Sequence, residues 1–160
     1  MRQIAFAIAA VLVAAGHAGA AEYLDKTDMQ KARAFSPAVI AEGGRTVYLA
    51  GQTTLTDENG NNIAGNFEAQ TRTIFKLIDK TLQRAGGSLK NLATMTVFIT
   101  DARNGDRFVE IRKEMFPDGN FPASALITVS ALARPGMLIE IQGIGVIGDT
   151  CSNEKPCTKK

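Results

Sequence analysis

The chain has 160 residues, with 18 Lys and Arg against 16 Asp and Glu and a single histidine. The formal net charge of +2 is spread along the sequence without a basic cluster apart from Lys159-Lys160, which argues against a nucleic-acid partner. The histidine is His17, so the chain beyond it has no imidazole for a Ser-His-Asp triad, a His-ligated zinc or acid–base chemistry.

Met1-Arg2, an almost wholly apolar run from Ile4 to Ala15 and the small-residue site Ala18-Gly19-Ala20 make up a secretory signal peptide. The apolar run is too short to span a bilayer, and no later segment is long enough. Residues 1–20 are expected to be removed, so that the mature chain begins at Ala21 in the periplasm or another exported location. About 140 residues then remain, one domain with a core of ordinary size.

Residues 21–35 (AEYLDKTDMQKARAF) are polar without a sustained period and read as an N-terminal arm. Ala38–Ile40 and Thr46–Ala50 are β-prone runs separated by Glu42-Gly43-Gly44, a hairpin signal. Gly51-Gln52 follows, where a glycine lets a ligand approach the backbone or simply ends a strand. Asp57 to Asn62 is a turn cluster. Asp57, Asn59, Asn61 and Glu68 fall at calcium-loop positions, but Asn62 stands where that loop needs Gly and a strand precedes it, so a plain turn is expected.

Phe67, Thr71, Ile74, Phe75, Ile78, Leu82 and Ala85 recur at helical spacing and form one apolar stripe, with Asn66 as its cap and Gly86-Gly87 as its stop. Leu92–Thr100 alternates as a strand. Phe108, Ile111, Met115 and Phe116 mark a second helix, stopped by Pro117-Asp118-Gly119. Residues 121–145 then read as two buried strands joined by a Pro-Gly turn. Glu140 lies inside the second of these apolar runs. In a strand its side chain points away from Ile139 and Ile141, to solvent or into a polar cleft. Two helices cannot cover both faces of this sheet, so they should pack on one. Leu126, Ile139, Ile141 and Ile144 suggest that the other face is apolar and needs a cover, most simply self-association.

The tail, residues 149–160, holds both cysteines. Their spacing fits neither a redox motif nor a closed zinc site, and in an oxidising compartment a Cys151–Cys157 disulfide is the natural expectation.

Taken together, Ser36-Pro37, Val47 to Gln52, the helix from Phe67 to Gly87, Met95 to Asp101, Phe121-Pro122-Ala123 and Ile139-Glu140-Ile141 resemble the Rid/YjgF family of imine and enamine deaminases. The resemblance covers residues 36–148 and implies an α+β, chorismate-mutase-like fold assembled as a homotrimer, with ligand clefts between subunits. It implies hydrolysis of reactive imines to carbonyl compounds and ammonia without a metal or organic cofactor. Glu140 matches the glutamate that positions the attacking water, and Gly51, between Ala50 and Gln52, matches the glycine lining the cleft. Ser124 stands where the family carries the arginine that clamps a substrate carboxylate. A hydroxyl is one neutral donor where guanidinium is a charged bidentate one, a loss of about 2–5 kcal/mol in holding a carboxylate. Three roles are therefore expected for the cleft: altered imine hydrolysis, small-molecule binding without turnover, or a structural role.

Overall fold

The computed structural model describes residues 21–148. The expected signal peptide and the Cys151–Cys157 pair lie outside them. The central sheet has four strands in the order β3 (Arg45–Gln52), β6 (Ile139–Ile147), β4 (Leu92–Ile99) and β5 (Ala123–Thr128). The β6 strand runs antiparallel to both neighbours, while β4 and β5 are parallel.

Helix α2 (Phe67–Arg84) forms where the stripe places it. Asn66 accepts from the Ala69 amide at its start. At its end the Gly86 and Gly87 amides donate to Gln83 and Leu82, with Gly86 at φ +85°. The Arg45 guanidinium also donates to Ala85 O, a cation at the helix's negative end. Helix α3 (Gly105–Met115) packs beside α2 on the same face of the sheet. Ile74, Phe75, Ile78, Leu82, Phe108 and Ile111 from the helices meet Met95, Val97, Ile99, Ile139 and Ile141 from the strands, all buried. Across the helix surfaces, Arg107 and then Arg72 hold the Glu68 carboxyl below its ordinary range. Glu68 is thereby committed to the helix arginines, while Asp57 accepts from the amides of Asn59 and Asn61 within its own turn.

Three expectations need correction. Residues 21–35 do not extend as an arm: β1 (Glu22–Tyr23) pairs with β2 (Val39–Ile40), Thr27 caps the short helix α1 (Asp28–Ala32), and Ala34 is fully buried. Consequently Glu42-Gly43-Gly44 does not close a hairpin, because β2 bonds to β1 while β3 bonds to β6. Nor are the last two strands a pair. Pro135-Gly136 does make a turn, with Gly136 at φ +84° and the Met137 amide donating to Arg134 O, but β4 lies between β5 and β6. The connection, residues 129–138, carries the chain past β4 to the position between β4 and β3.

That connection is pinned by Gln70 of α2, which is fully buried. Its amide nitrogen donates to Ile63 O and Gly136 O, and its oxygen accepts from the Leu138 amide. Every polar atom of the side chain is used to set where β6 begins, one residue before Ile139-Glu140.

Candidate functional site

Strand parity divides the sheet into two unlike faces. Ile139 and Ile141 point to the helices and are buried, as are Met95, Val97 and Ile99. The side chains between them, Glu140, Gln142 and Ile144 on β6 and Thr94, Thr96 and Phe98 on β4, point to the face without helices. Of the residues expected to make that face apolar, only Ile144 lies on it, since Ile139, Ile141 and Leu126 share the helix side. Its apolar character comes instead from Tyr48, 79% exposed, Ile127, 42% exposed, Phe98 and Ile144. Tyr48, Ile144 and Thr94 stand in register across three strands and line a shallow depression there.

Glu140 sits half-buried on this face, opposite Phe98 in the β4–β6 register. Its carboxylate has no hydrogen bond or ion pair among the described residues. Its wall on the other side is Gly51. The β3–β6 register is irregular between Leu49 and Gln52, and this bulge brings Ala50 and Gly51 over the start of β6. A Cβ at position 51 would lie 2.9 Å from Glu140 Cδ and closer still to Oε1, so the carboxylate occupies the space a side chain would take. Thr53 holds the loop in place by donating to Ile139 O at 2.9 Å, and Gln52 donates to Ala50 O at 3.2 Å. Glycine at 51 is thus what leaves the carboxylate room to take this position.

Gly51→Ala should therefore leave the fold nearly intact, because the colliding atoms are the far end of a rotatable side chain. The carboxylate must nevertheless swing away from its position, and an activity that depends on that position should drop by about tenfold to a hundredfold. Melting and turnover measured together check this; an unchanged rate would mean that the close fit plays no part.

Ser124 is not part of this group. It pairs with Met95 and shares its helix-facing parity, and its hydroxyl accepts from Arg112 Nη1 at 2.7 Å. Glu140 lies two strands away on the opposite face, so Ser124 and Glu140 cannot touch one ligand within a single chain. The other arginines are no closer to Glu140 by contact: Arg45 caps α2, and Arg134 lies in the exposed turn between β5 and β6.

Sequence reasoning passed over Gln70, and it gave no partner to Thr53, in the loop after Gly51, or to Arg112, all of which shape these sites. A signal existed for two of them. Gln70 lies at i+3 from Phe67 and Arg112 at i+4 from Phe108, so each is a polar residue on a stripe that is otherwise apolar.

A mixed four-stranded sheet with both longer helices on one face, an open apolar face and a carboxylate under a glycine bulge define an α+β protein of the chorismate-mutase-like, Rid type. The chain belongs to the Rid/YjgF family, whose model, described as endoribonuclease L-PSP, matches residues 25–147. Among solved structures it is similar to the Rid-family protein YyfA of Yersinia pestis, at 32% identity and a TM-score of 0.58, covering 70% of this chain and 86% of that one. YyfB of the same organism shares the fold at 23% identity and a TM-score of 0.68, covering 79% and 96%. A member of the YjgF/YER057c/UK114 family from Mycobacterium tuberculosis aligns at 26% identity with a TM-score of 0.54, over 78% and 97%. Both Yersinia proteins are described as being of unknown function.

Proposed function

We propose that the protein is a cofactor-independent imine/enamine deaminase acting in a cleft between copies of itself, as a homotrimer. The observation that carries this reading is Glu140. It is a half-buried carboxylate without a partner among the described residues, held between Phe98 and Gly51 on a face whose described strand side chains include no lysine or arginine. Such a group can accept a hydrogen bond from a water molecule and take its proton as the oxygen attacks an imine carbon. The resulting carbinolamine then expels ammonia and leaves a carbonyl compound. Imine hydrolysis is intrinsically easy, so the protein's contribution is chiefly the positioning of water and substrate.

The same face gives little support to RNA cleavage, the activity named in the family model's description. A phosphodiester backbone is held by cations, and beside Glu140 the strands present none. Binding without turnover is the second reading, favoured by Ser124. With Ser124 on the other face, nothing among the described residues of the same chain clamps a substrate against Glu140.

Export to the periplasm belongs to the proposal. Ala21 and Glu22 are already packed into the domain, so cleavage before Ala21 would remove none of the described fold.

The test generates amino-acid imines, and separately a neutral imine, with an oxidase in the presence of semicarbazide as competitor. The protein should raise carbonyl release above buffer for at least one of them. Release equal to buffer with both would overturn the deaminase reading in favour of binding alone.

A further inference from the structure

Gln70 is fully buried on α2, yet its side chain bonds only to the backbone of two loops, residues 53–66 and 129–138. Nε2 donates to Ile63 O at 3.0 Å and to Gly136 O at 2.7 Å, and Oε1 accepts from the Leu138 amide at 2.9 Å. These contacts are not equivalent. Ile63 O also accepts from the Asn66 amide and Gly136 O from the Gly65 amide, so neither carbonyl would be orphaned without Gln70. The Leu138 amide has no other acceptor among the described residues. A buried donor left unpaired is costly, so what Gln70 alone supplies is the anchor of one peptide, two residues ahead of Glu140.

That peptide lies where the sheet's own ladder gives out. The Thr100 amide donates to Leu138 O at 3.1 Å, but the Leu138 amide turns away to Gln70. On the other edge of β6 the pairing with β3 is broken between Leu49 and Gln52, and there Thr53 holds Ile139 O. Side chains therefore take over from strand pairing just before Glu140. Glu140 points to the face opposite the helices, so Gln70 does not meet the carboxylate and acts on it through the backbone. The fit under Gly51 leaves little slack: a Cβ at 51 would lie 3.3 Å from Glu140 Cγ and 2.9 Å from Cδ. With no partner among the described residues to steer it, the carboxylate takes its place from its own backbone.

We propose that Gln70 is a positioning residue for Glu140. From the helix layer it fixes the Leu138 peptide, and so holds the carboxylate beneath Gly51 on the opposite face. Its part in turnover rests on the deaminase reading above, whereas its part in the geometry does not.

The test is Gln70→Met, which keeps the length of the side chain and removes its donors and its acceptor. Two readouts separate positioning from stability. The first needs no turnover. NMR of the wild type should show a nuclear Overhauser effect between Glu140 Hγ and Gly51 Hα, because these groups are in contact. In Gln70→Met it should be lost, while the effects across the Thr96–Gln142 and Val97–Ile141 pairs persist. The second is kinetic. For whichever imine the wild type hydrolyses, kcat should fall by about tenfold to a hundredfold with KM within about twofold, since a misplaced base spoils the attack of water and not the binding of substrate. A merely structural Gln70 would lower the melting temperature and leave both readouts of the folded protein where they were. If Gln70→Met does not fold, Gln70→Asn, whose amide falls one methylene short of Leu138, decides by the same readouts. An intact contact, or an unchanged kcat in an active enzyme, would each overturn the proposal. Loss of the contact in the variant, beside a wild type no faster than buffer, would sink the deaminase reading and leave the positioning role standing. A wild type that turns over, with a variant that keeps the contact and its kcat, would do the reverse.

Discussion

Glu140→Gln is expected to lower imine turnover by about a hundredfold or more, with the melting temperature almost unchanged. The two side chains have the same shape, so the space between Gly51 and Phe98 stays filled. Glu140 makes no ion pair among the described residues, and its loss strands no buried cation. What disappears is the ability to take a proton from water, a function whose removal typically costs two to four orders of magnitude. The semicarbazide competition assay measures the rate, and circular dichroism on the same samples measures the fold. Retention of half the activity would show that the carboxylate is a bystander, whatever else occupies the cleft.

The second large effect concerns assembly. Ile144→Glu should convert the protein to a monomer and abolish turnover together. Ile144 stands on the central strand β6, on the open face, between Tyr48 and Thr94 in register. In an isolated chain a glutamate there would remain within reach of water and cost little. Against a second copy it would be buried without a partner, which costs several kcal/mol in each subunit contact. Sedimentation velocity reads the mass, and far-ultraviolet circular dichroism shows whether the chain is still folded. An unchanged mass would mean that this face is not the interface. A folded monomer with full activity would mean that the site is complete within one chain, contrary to the separation of Ser124 from Glu140.

These two substitutions probe opposite uses of one face. Glu140 and Ile144 are on the same strand with the same parity, one polar at the end near the Gly51 bulge, the other apolar near the strand's middle. A face that is only an interface has no need of the first. A face open to solvent has no need of the second, nor of Tyr48 and Ile127 exposed beside it. Their coexistence is what the proposed ligand cleft at the margin of a subunit contact requires.

The legible parts of the chain were those whose information is local. The stripe from Phe67 to Leu82, its Asn66 cap and its Gly86 stop delimit α2 to within a residue, because a helix bonds only to itself. Alternation delimits β4 and assigns Glu140, on β6, to the face opposite Ile139 and Ile141, a consequence of the two-residue period. Which strand lies beside which was not legible: β2 left β3 for β1, and β4 came between β5 and β6. Sheet hydrogen bonds join backbone groups that are alike in every residue, so a strand's sequence states its faces without naming its neighbours. The site divides along the same line. Glu140 and the family pattern around it are in the sequence, as is the absence of an arginine at 124. Only the packing of α3 on the sheet brings Arg112 to Ser124, and only the bulge in β3 sets Gly51 over Glu140, because contacts between distant segments depend on how elements dock and not on spacing along the chain.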